Sequence, residues 1–181
     1  MTGGRLAERA SPANAAANAA ADAPRVRTAT VRDLEEVVAL RLALLREHPT
    51  HPVYGRLRPS ADRHARELFA AQLRARTETI LLAELDGSVV GILRCAETIG
   101  SPLLEPARYA YVSSVYVRPD ARRRGVLRAL IAEAERWSRA RGLDQMRLHN
   151  VAGSTDAELA WEALGFEIVE QVRLRSFSSP R

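Results

Sequence analysis

Arg122-Arg123-Arg124-Gly125 is the stretch of this chain with the plainest chemical content. It follows a Val- and Tyr-rich run, Tyr109–Val117, and precedes a segment whose apolar residues recur with a helical period. A strand, a short basic turn, a glycine and a helix start would bring several unpaired backbone N–H groups together with roughly half a positive charge. Glycine adds the room for a ligand to approach the main chain. That is the chemistry of an anion site, and a diphosphate is the natural guest. A merely solvated basic turn would use the same residue types, so the surrounding pattern has to decide. No Gly-x-Gly-x-x-Gly follows a first strand and no Gly-Lys-Ser/Thr occurs, which excludes a dinucleotide fingerprint and a P-loop.

Other residue types narrow the chemistry further. All 27 basic residues are arginine, so there is no lysine to form a Schiff base or to be modified by the chain's own activity. The single cysteine, Cys95, excludes an internal disulfide and a multi-thiolate metal site, and it fits a reducing, cytoplasmic compartment. His48 and His51 sit in a Pro-rich stretch without the spacing of a metal signature, so no metal is expected. A net charge of +5 would suit a polyanion such as nucleic acid or a phosphorylated cofactor. Aromatics at only 5% and acidic residues interspersed among the arginines argue against a nucleic-acid surface.

The elements that must position these residues are legible from periodicity. Of the 181 residues, 46% are hydrophobic, enough to bury a core, and no run approaches the roughly 20 apolar residues of a membrane span. Residues 1–24 are Ala-rich without a bulky apolar pattern and are expected to be a poorly ordered tail rather than a signal peptide. The folded domain is expected over 25–181. Arg25–Thr30 reads as a strand. Asp33 is expected to cap a helix on which Leu34, Val37, Val38, Arg41 and Leu44/Leu45 follow the 3.6 period. Ser60 or Asp62 opens a second helix, with Ala65, Leu68, Phe69 and Leu73 on its apolar side. Asp86-Gly87 between two apolar runs is a hairpin signal. Val126, Leu127, Leu130, Ile131, Ala134 and Trp137 stripe a long helix that Gly142 stops. A strand at Gln145–Val151, a helix carrying Ala157, Ala160, Trp161 and Leu164, and a final strand pair, Phe166–Glu170 and Val172–Phe177, complete the order β-α-α-β-β-β-α-β-α-β-β. Strands flanking the long helix need a crossover and should be parallel, in a mixed α/β sheet.

Three stretches together resemble the GCN5-related N-acetyltransferase (GNAT) superfamily over roughly residues 26–178. Val115-Tyr116-Val117-Arg118-Pro119 followed by Arg122-Arg123-Arg124-Gly125-Val126-Leu127 is similar to its pyrophosphate loop. Ala157 through Trp161-Glu162-Ala163-Leu164-Gly165-Phe166 is similar to its last helix. The order of elements is the third point of likeness. The resemblance implies the GNAT fold, a twisted mixed sheet of about seven strands with about four helices. It implies acetyl-CoA as co-substrate, lying between the strands Tyr109–Val117 and Gln145–Val151. Backbone of Val115, Tyr116 and Val117 would pair with the pantetheine, and N–H groups of about Arg123–Arg128 would take the pyrophosphate. The implied cofactor contacts are thus Val115, Tyr116, Val117, Arg122, Arg123, Arg124, Gly125, Val126, Leu127 and Arg128, joined by Asn150, Ser154 and Trp161. An amine would attack the thioester carbonyl directly, in a ternary complex, with a strand N–H steadying the oxyanion.

Several residues depart from that family's pattern. Leu127 replaces Gly or Ala, which leaves its N–H intact and alters packing. Trp161 replaces the tyrosine that protonates the leaving thiolate, and an indole N–H donates a hydrogen bond without acting as an acid. Ser154 replaces an Asn and can still cap its helix. Ser113 stands where relatives place an acidic residue, so the base must be sought elsewhere: Glu97, with Tyr109, Tyr111 or His149 in a proton wire. The implied catalytic candidates are therefore Glu97, Ser113, Tyr111 and Trp161. The acceptor is expected to be a small-molecule or peptide amine, with no membrane or nucleic-acid partner. A CoA-binding module without turnover is the alternative these departures allow, and a basic nucleic-acid binder is the second. The terminal strand pair could extend a sheet between copies, as in a homodimer.

Overall fold

The computed structural model describes residues 23–151 and 153–177, so the expected tail lies outside the described residues except at its last two positions. The chain forms two compact units, one ending at Leu148 and one starting at His149. The first contains β1 (Arg25–Thr28), α1 (Leu34–Arg46), α2 (Ala61–Gln72), β2 (Glu78–Leu85), β3 (Ser88–Ile99), β4 (Arg108–Val117), α3 (Val126–Arg139) and β5 (Met146–Leu148). The second contains α4 (Thr155–Glu162).

The five strands lie in chain order, antiparallel except for the last pair. The β2–β3 hairpin turns on Asp86 and Gly87, at φ 52° and 74°, the two positive values a two-residue turn needs to match strand twist. Between β4 and β5 the chain must cross over, and α3 is that crossover.

Side-chain alternation divides the sheet. Ile80, Leu82, Ile92 and Tyr116 face α1 and α2, where they meet Val37, Val38, Leu40 and Phe69. The other face meets α3: a Cβ on Gly91 would come 3.0 Å from Val126 Cγ1 and 3.3 Å from Leu130 Cδ1. Cys95 Sγ lies 3.7 Å from Ser138 Oγ on that same side, and burial pushes its thiol up, so it is a packed core residue. Ser138 takes a buried place on α3, its hydroxyl donating to Ala134 O, while Trp137 is only half-buried, with Arg141 stacked 4.3 Å from its ring. Leu68, expected on the apolar side of α2, is 53% exposed; Phe69 takes the core position one residue on.

The pairing of β4 with β3 is irregular at one point. Ile92 pairs with Tyr116 and Arg94 with Ser113, so Ser114 and Val115 together oppose the single residue Leu93. This is a β-bulge, and Ser114 holds φ 54° within it.

The expected capping role of Asp33 is displaced by three residues. Thr30 caps a short 3₁₀ turn, Val31–Asp33, and forms a reciprocal box with Asp33, whose carboxylate also takes two hydrogen bonds from Arg27. The Arg27 guanidinium holds that carboxyl well below the usual carboxylate range. A depressed folded-state pKa adds stability that is present above the unfolded value, about 3.9, and lost as pH falls through the folded one. Asp33→Asn should therefore cost about 1–2 kcal/mol at pH 7. In urea titrations the gap from the parent should shrink as pH drops below about 4; a pH-independent gap would assign the cost to packing.

The second unit explains the Trp-Glu-Ala-Leu-Gly-Phe string as a helix stop. Phe166 N donates to Trp161 O and Gly165 N to Glu162 O, each near 3.0 Å, with Gly165 at φ 82°. The two rings flanking this cap meet edge to face at 5.4 Å. Ser154 sits at the N-cap of α4, but its hydroxyl makes no capping bond; the Glu158 carboxylate instead accepts from Gly153 N. The expected final strand pair is not formed. Residues 166–177 carry no strand, and Ile168, Val169, Val172, Leu174 and Phe177 are exposed. Strand-forming side chains make a strand only where a neighbour takes up their N–H and C=O groups. The sheet accordingly has five strands rather than about seven, and β5 is shorter than expected.

Candidate active site

Pairing between β4 and β5 covers only Ala110, Val112 and the residue between them. From Ser113 to Val117 the β5 side of β4 has no strand partner among the described residues. The direction of each main-chain group there follows from the ladder. Ala110 N donates toward β5, to Gln145 O, and Arg118 N donates toward β3, to Val90 O. Counting back from Arg118 in steps of two places Tyr116 on the β3 side, leaving Val115 and Val117 with N–H and C=O groups on the open edge, where the Val117 carbonyl already accepts from Arg122 Nε. This is a strand edge ready to receive another extended chain.

The open edge leads to the arginine turn. Among the described residues, no acceptor takes the backbone N–H groups of Arg123 through Arg128, and the first helical bond runs from Ala129 N to Gly125 O at 3.0 Å. Arg123 and Gly125 both have positive φ, 64° and 80°, which curls the main chain into a concave nest. A Cβ on Gly125 would touch nothing within 4 Å, so the half-buried Leu127 leaves the space above Gly125 open. Consecutive unused donors at a helix start with clear space above them fit a diphosphate.

The arginine side chains do not act as one patch. Arg122 donates to Val117 O at 3.0 Å and to Glu47, and lies over the Tyr116 ring. Arg124 pairs with Asp86 and Arg118 with Glu36. Arg123 and Arg128 make no ion pair among the described residues and remain exposed. The turn is thus braced by two of its three arginines and offers the third.

The catalytic candidates separate. Tyr111 and Ser113 share the α1-facing side of β4. Glu97 pairs with Ala110, which puts it on the opposite face, where Arg108 Nη1 donates to its carboxylate. Asn150, Ser154 and Trp161 belong to the second unit; Asn150 is exposed and Trp161 packs against Phe166. Beside Ser113 lie groups that sequence reasoning passed over. Arg94 Nη1 donates to Ser113 Oγ at 3.2 Å, and its Nε pairs with Glu78. Arg41 projects from α1 toward the same place, with Tyr54, Arg94 and Tyr111 as its electrostatic neighbours. Burial pulls the Arg41 guanidinium down and pushes the Tyr111 phenol up. The signal was present in both cases: a charged residue interrupts the apolar stripe Val37, Val38, Leu44 and another interrupts Ile92, Leu93, Cys95, Ala96. Among the described residues no three of His, Cys, Asp and Glu gather as metal ligands, and no helix is long and apolar enough to cross a membrane.

Comparison with known proteins places this geometry. The acetyltransferase (GNAT) family profile matches residues 40–166. An aminoglycoside N(6')-acetyltransferase type 1 of Stenotrophomonas maltophilia is 30% identical over 84% of this chain and 92% of its own length. Its counterpart in Klebsiella aerogenes is 35% identical over 55% of this chain and 66% of its own. Among solved structures, AAC(6')-Iy in complex with the bisubstrate analogue CoA-S-monomethyl-acetylneamine superposes with a TM-score of 0.67 at 24% identity, over 86% of this chain and 98% of that one. A predicted acetyltransferase of Clostridium acetobutylicum, crystallised with acetyl-CoA, gives 0.69 at 17% identity over 84% and 96%. With the amide nest, the open strand edge and these relationships in hand, the chain belongs to the acetyltransferase (GNAT) family and is an N-acetyltransferase whose acetyl donor is acetyl-CoA.

Proposed function

We propose that this enzyme moves the acetyl group from acetyl-CoA to a primary amine by direct attack in a ternary complex. The observation that carries the reading is the continuity between the unpaired edge of β4 beyond Val112 and the unused amides of residues 123–128. Acetyl-CoA supplies an activated acyl group on a good leaving thiolate. The nest amides would hold the diphosphate, with Arg123 and Arg128 as side-chain cations, and Val115 and Val117 would pair with the pantetheine arm. The Ser114 bulge turns the main chain at the point where the carbonyl oxygen gains charge, so an N–H there can stabilise it.

Proton handling is left largely to solvent. On the Ser113 side the first unit's nearest carboxylate, Glu78, is occupied by Arg94, and Glu97 lies on the other face with Arg108. The indole of Trp161 is no acid near neutral pH. The amine must therefore arrive unprotonated. The expected result is that log kcat/KM rises with unit slope up to the acceptor's own pKa, about 8 for an α-amine and about 10 for an alkylamine. A profile that bends at one fixed pH for every acceptor would reveal an enzymic base. The reading itself is tested by calorimetric titration with acetyl-CoA, followed by thiol release over an amine panel. The aminoglycosides for which the curated relatives are named serve there as reference acceptors. No binding of acetyl-CoA would overturn it.

A further inference from the structure

Arg41 is the unexplained charge of this fold. It occupies the sheet-facing stripe of α1, beside Val37 and Val38, which are 0% and 2% exposed. Burying a guanidinium costs free energy unless an anion meets it. Among the described residues none does: Arg41 makes no ion pair or hydrogen bond there, and its electrostatic neighbours are two phenols and a second cation, Arg94. The carboxylates on this face of the sheet are already taken, Glu78 by Arg94 and Glu84 by Arg27. Two guanidiniums against one carboxylate leave one positive charge uncompensated.

The location gives that charge a purpose. Arg94 bonds Ser113, the residue preceding the bulge at which β4 leaves its partner and its edge opens. Over the same spot comes the segment between α1 and α2. His51 Nδ1 accepts from the N–H groups of Val53 and Tyr54, its ring stacks on Tyr54 at 4.6 Å, and Tyr54 is an electrostatic neighbour of both Arg41 and Tyr111. Phenols are hydrogen-bond donors that suit an anionic ligand. The cluster Arg41, Tyr54, Arg94, Tyr111 and Ser113 is therefore a cationic group of side chains beside the bulge of β4, on the face opposite α3.

We infer that the acceptor is a compact amine that also carries an anionic group, carboxylate or phosphate, and that Arg41 holds that group while the amine faces the open edge of β4. The inference rests on the acetyl-transfer reading and specifies the acceptor for it. A polycationic aminoglycoside would place like charge against Arg41 and Arg94.

The test is acetyl-CoA-dependent thiol release with matched acceptors: amino acids against their methyl esters and amides, phosphoethanolamine against ethanolamine, and a polyamine aminoglycoside. Anionic amines should exceed their uncharged isosteres by about 10- to 100-fold in kcat/KM, chiefly through KM, as expected for a charge-assisted contact. The carboxylate and phosphate arms identify the group. Arg41→Gln should remove that preference, chiefly by raising KM for the anionic amines, and Arg41→Lys should restore part of it. Calorimetric titration with acetyl-CoA and the melting curve of each variant separate a lost contact from a lost fold. Enzyme that binds acetyl-CoA yet prefers the esters or the aminoglycoside, or releases thiol with no anionic amine, overturns the inference and leaves donor binding standing. So does an undiminished preference in Arg41→Gln. Enzyme that does not bind acetyl-CoA brings down the reading beneath it.

Discussion

Replacing Gly125 with Asp should weaken acetyl-CoA binding about 100-fold, whereas Asn at the same position should weaken it no more than about fivefold. Asn and Asp are the two L-residues that best tolerate a left-handed backbone, so at φ 80° both variants lose a similar amount of stability, about 1–2 kcal/mol. Neither meets a steric barrier, because a Cβ there has nothing within 4 Å. The two side chains are nearly isosteric and differ in charge. A carboxylate about 4 Å from each phosphate charge repels it by about 1–4 kcal/mol for an effective dielectric between that of water and that of a protein surface. Titration of the two variants side by side isolates that term. Equal affinities would mean that the amides of residues 123–128 do not meet the diphosphate.

Gly91→Val should destabilise the protein by about 3 kcal/mol or more, and Gly91→Ala by about 1–2 kcal/mol, read as shifts in the urea midpoint at constant slope. A first side-chain carbon at Gly91 comes within 3.0 Å of Val126 Cγ1 and 3.1 Å of the Tyr116 carbonyl oxygen. The second neighbour is main chain of the adjoining strand and cannot swing aside, so β3 and α3 must separate. Better strand propensity offsets at most about 1 kcal/mol of this. Because Val126 is the first residue of α3, a displaced helix start should also weaken acetyl-CoA binding in any variant that still folds. An Ala variant as stable as the parent would show that α3 recedes from the sheet without resistance.

Local chemistry makes much of this fold readable in the sequence. The Asp86-Gly87 hairpin, the stripe of α3 and the stops at Gly142 and Gly165 are each decided within a few residues, by turn geometry, period or capping. The same holds for the concave turn at Gly125, since a glycine opening a helix after a strand needs no distant partner. Features decided by long-range pairing are not readable in that way. The terminal segment has strand-forming residues and finds no strand to join. The separation of Glu97 from Ser113 depends on the register between β3 and β4, which sets Glu97 opposite Ala110 and Arg94 opposite Ser113. Trp161 reads in the sequence as a substitute for a proton donor. In its own unit it is the aromatic half of a helix stop, a duty that any large ring meeting Phe166 can perform.

The supernumerary residue in β4 has a consequence for how this chain can change. Were Ser114 drawn into the regular ladder instead of bulging from it, the alternation running through Ala110 and Val112 would continue unbroken, and Tyr116 rather than its two neighbours would present its peptide group to the gap. Tyr116 would also swing its ring out of the Val37, Val38 and Phe69 cluster to the far side of the sheet. The strand is thus two half-strands with a half-period offset between them, one meshed with β5 and the other left to greet a guest. Excising Ser114 would leave a regular ladder, Ser113 against Arg94, Val115 against Leu93 and Tyr116 against Ile92, with the sense of everything downstream kept as it is. It is the loss of the bulge with Ser114 kept in the strand, not the loss of the residue, that would exchange inside for outside.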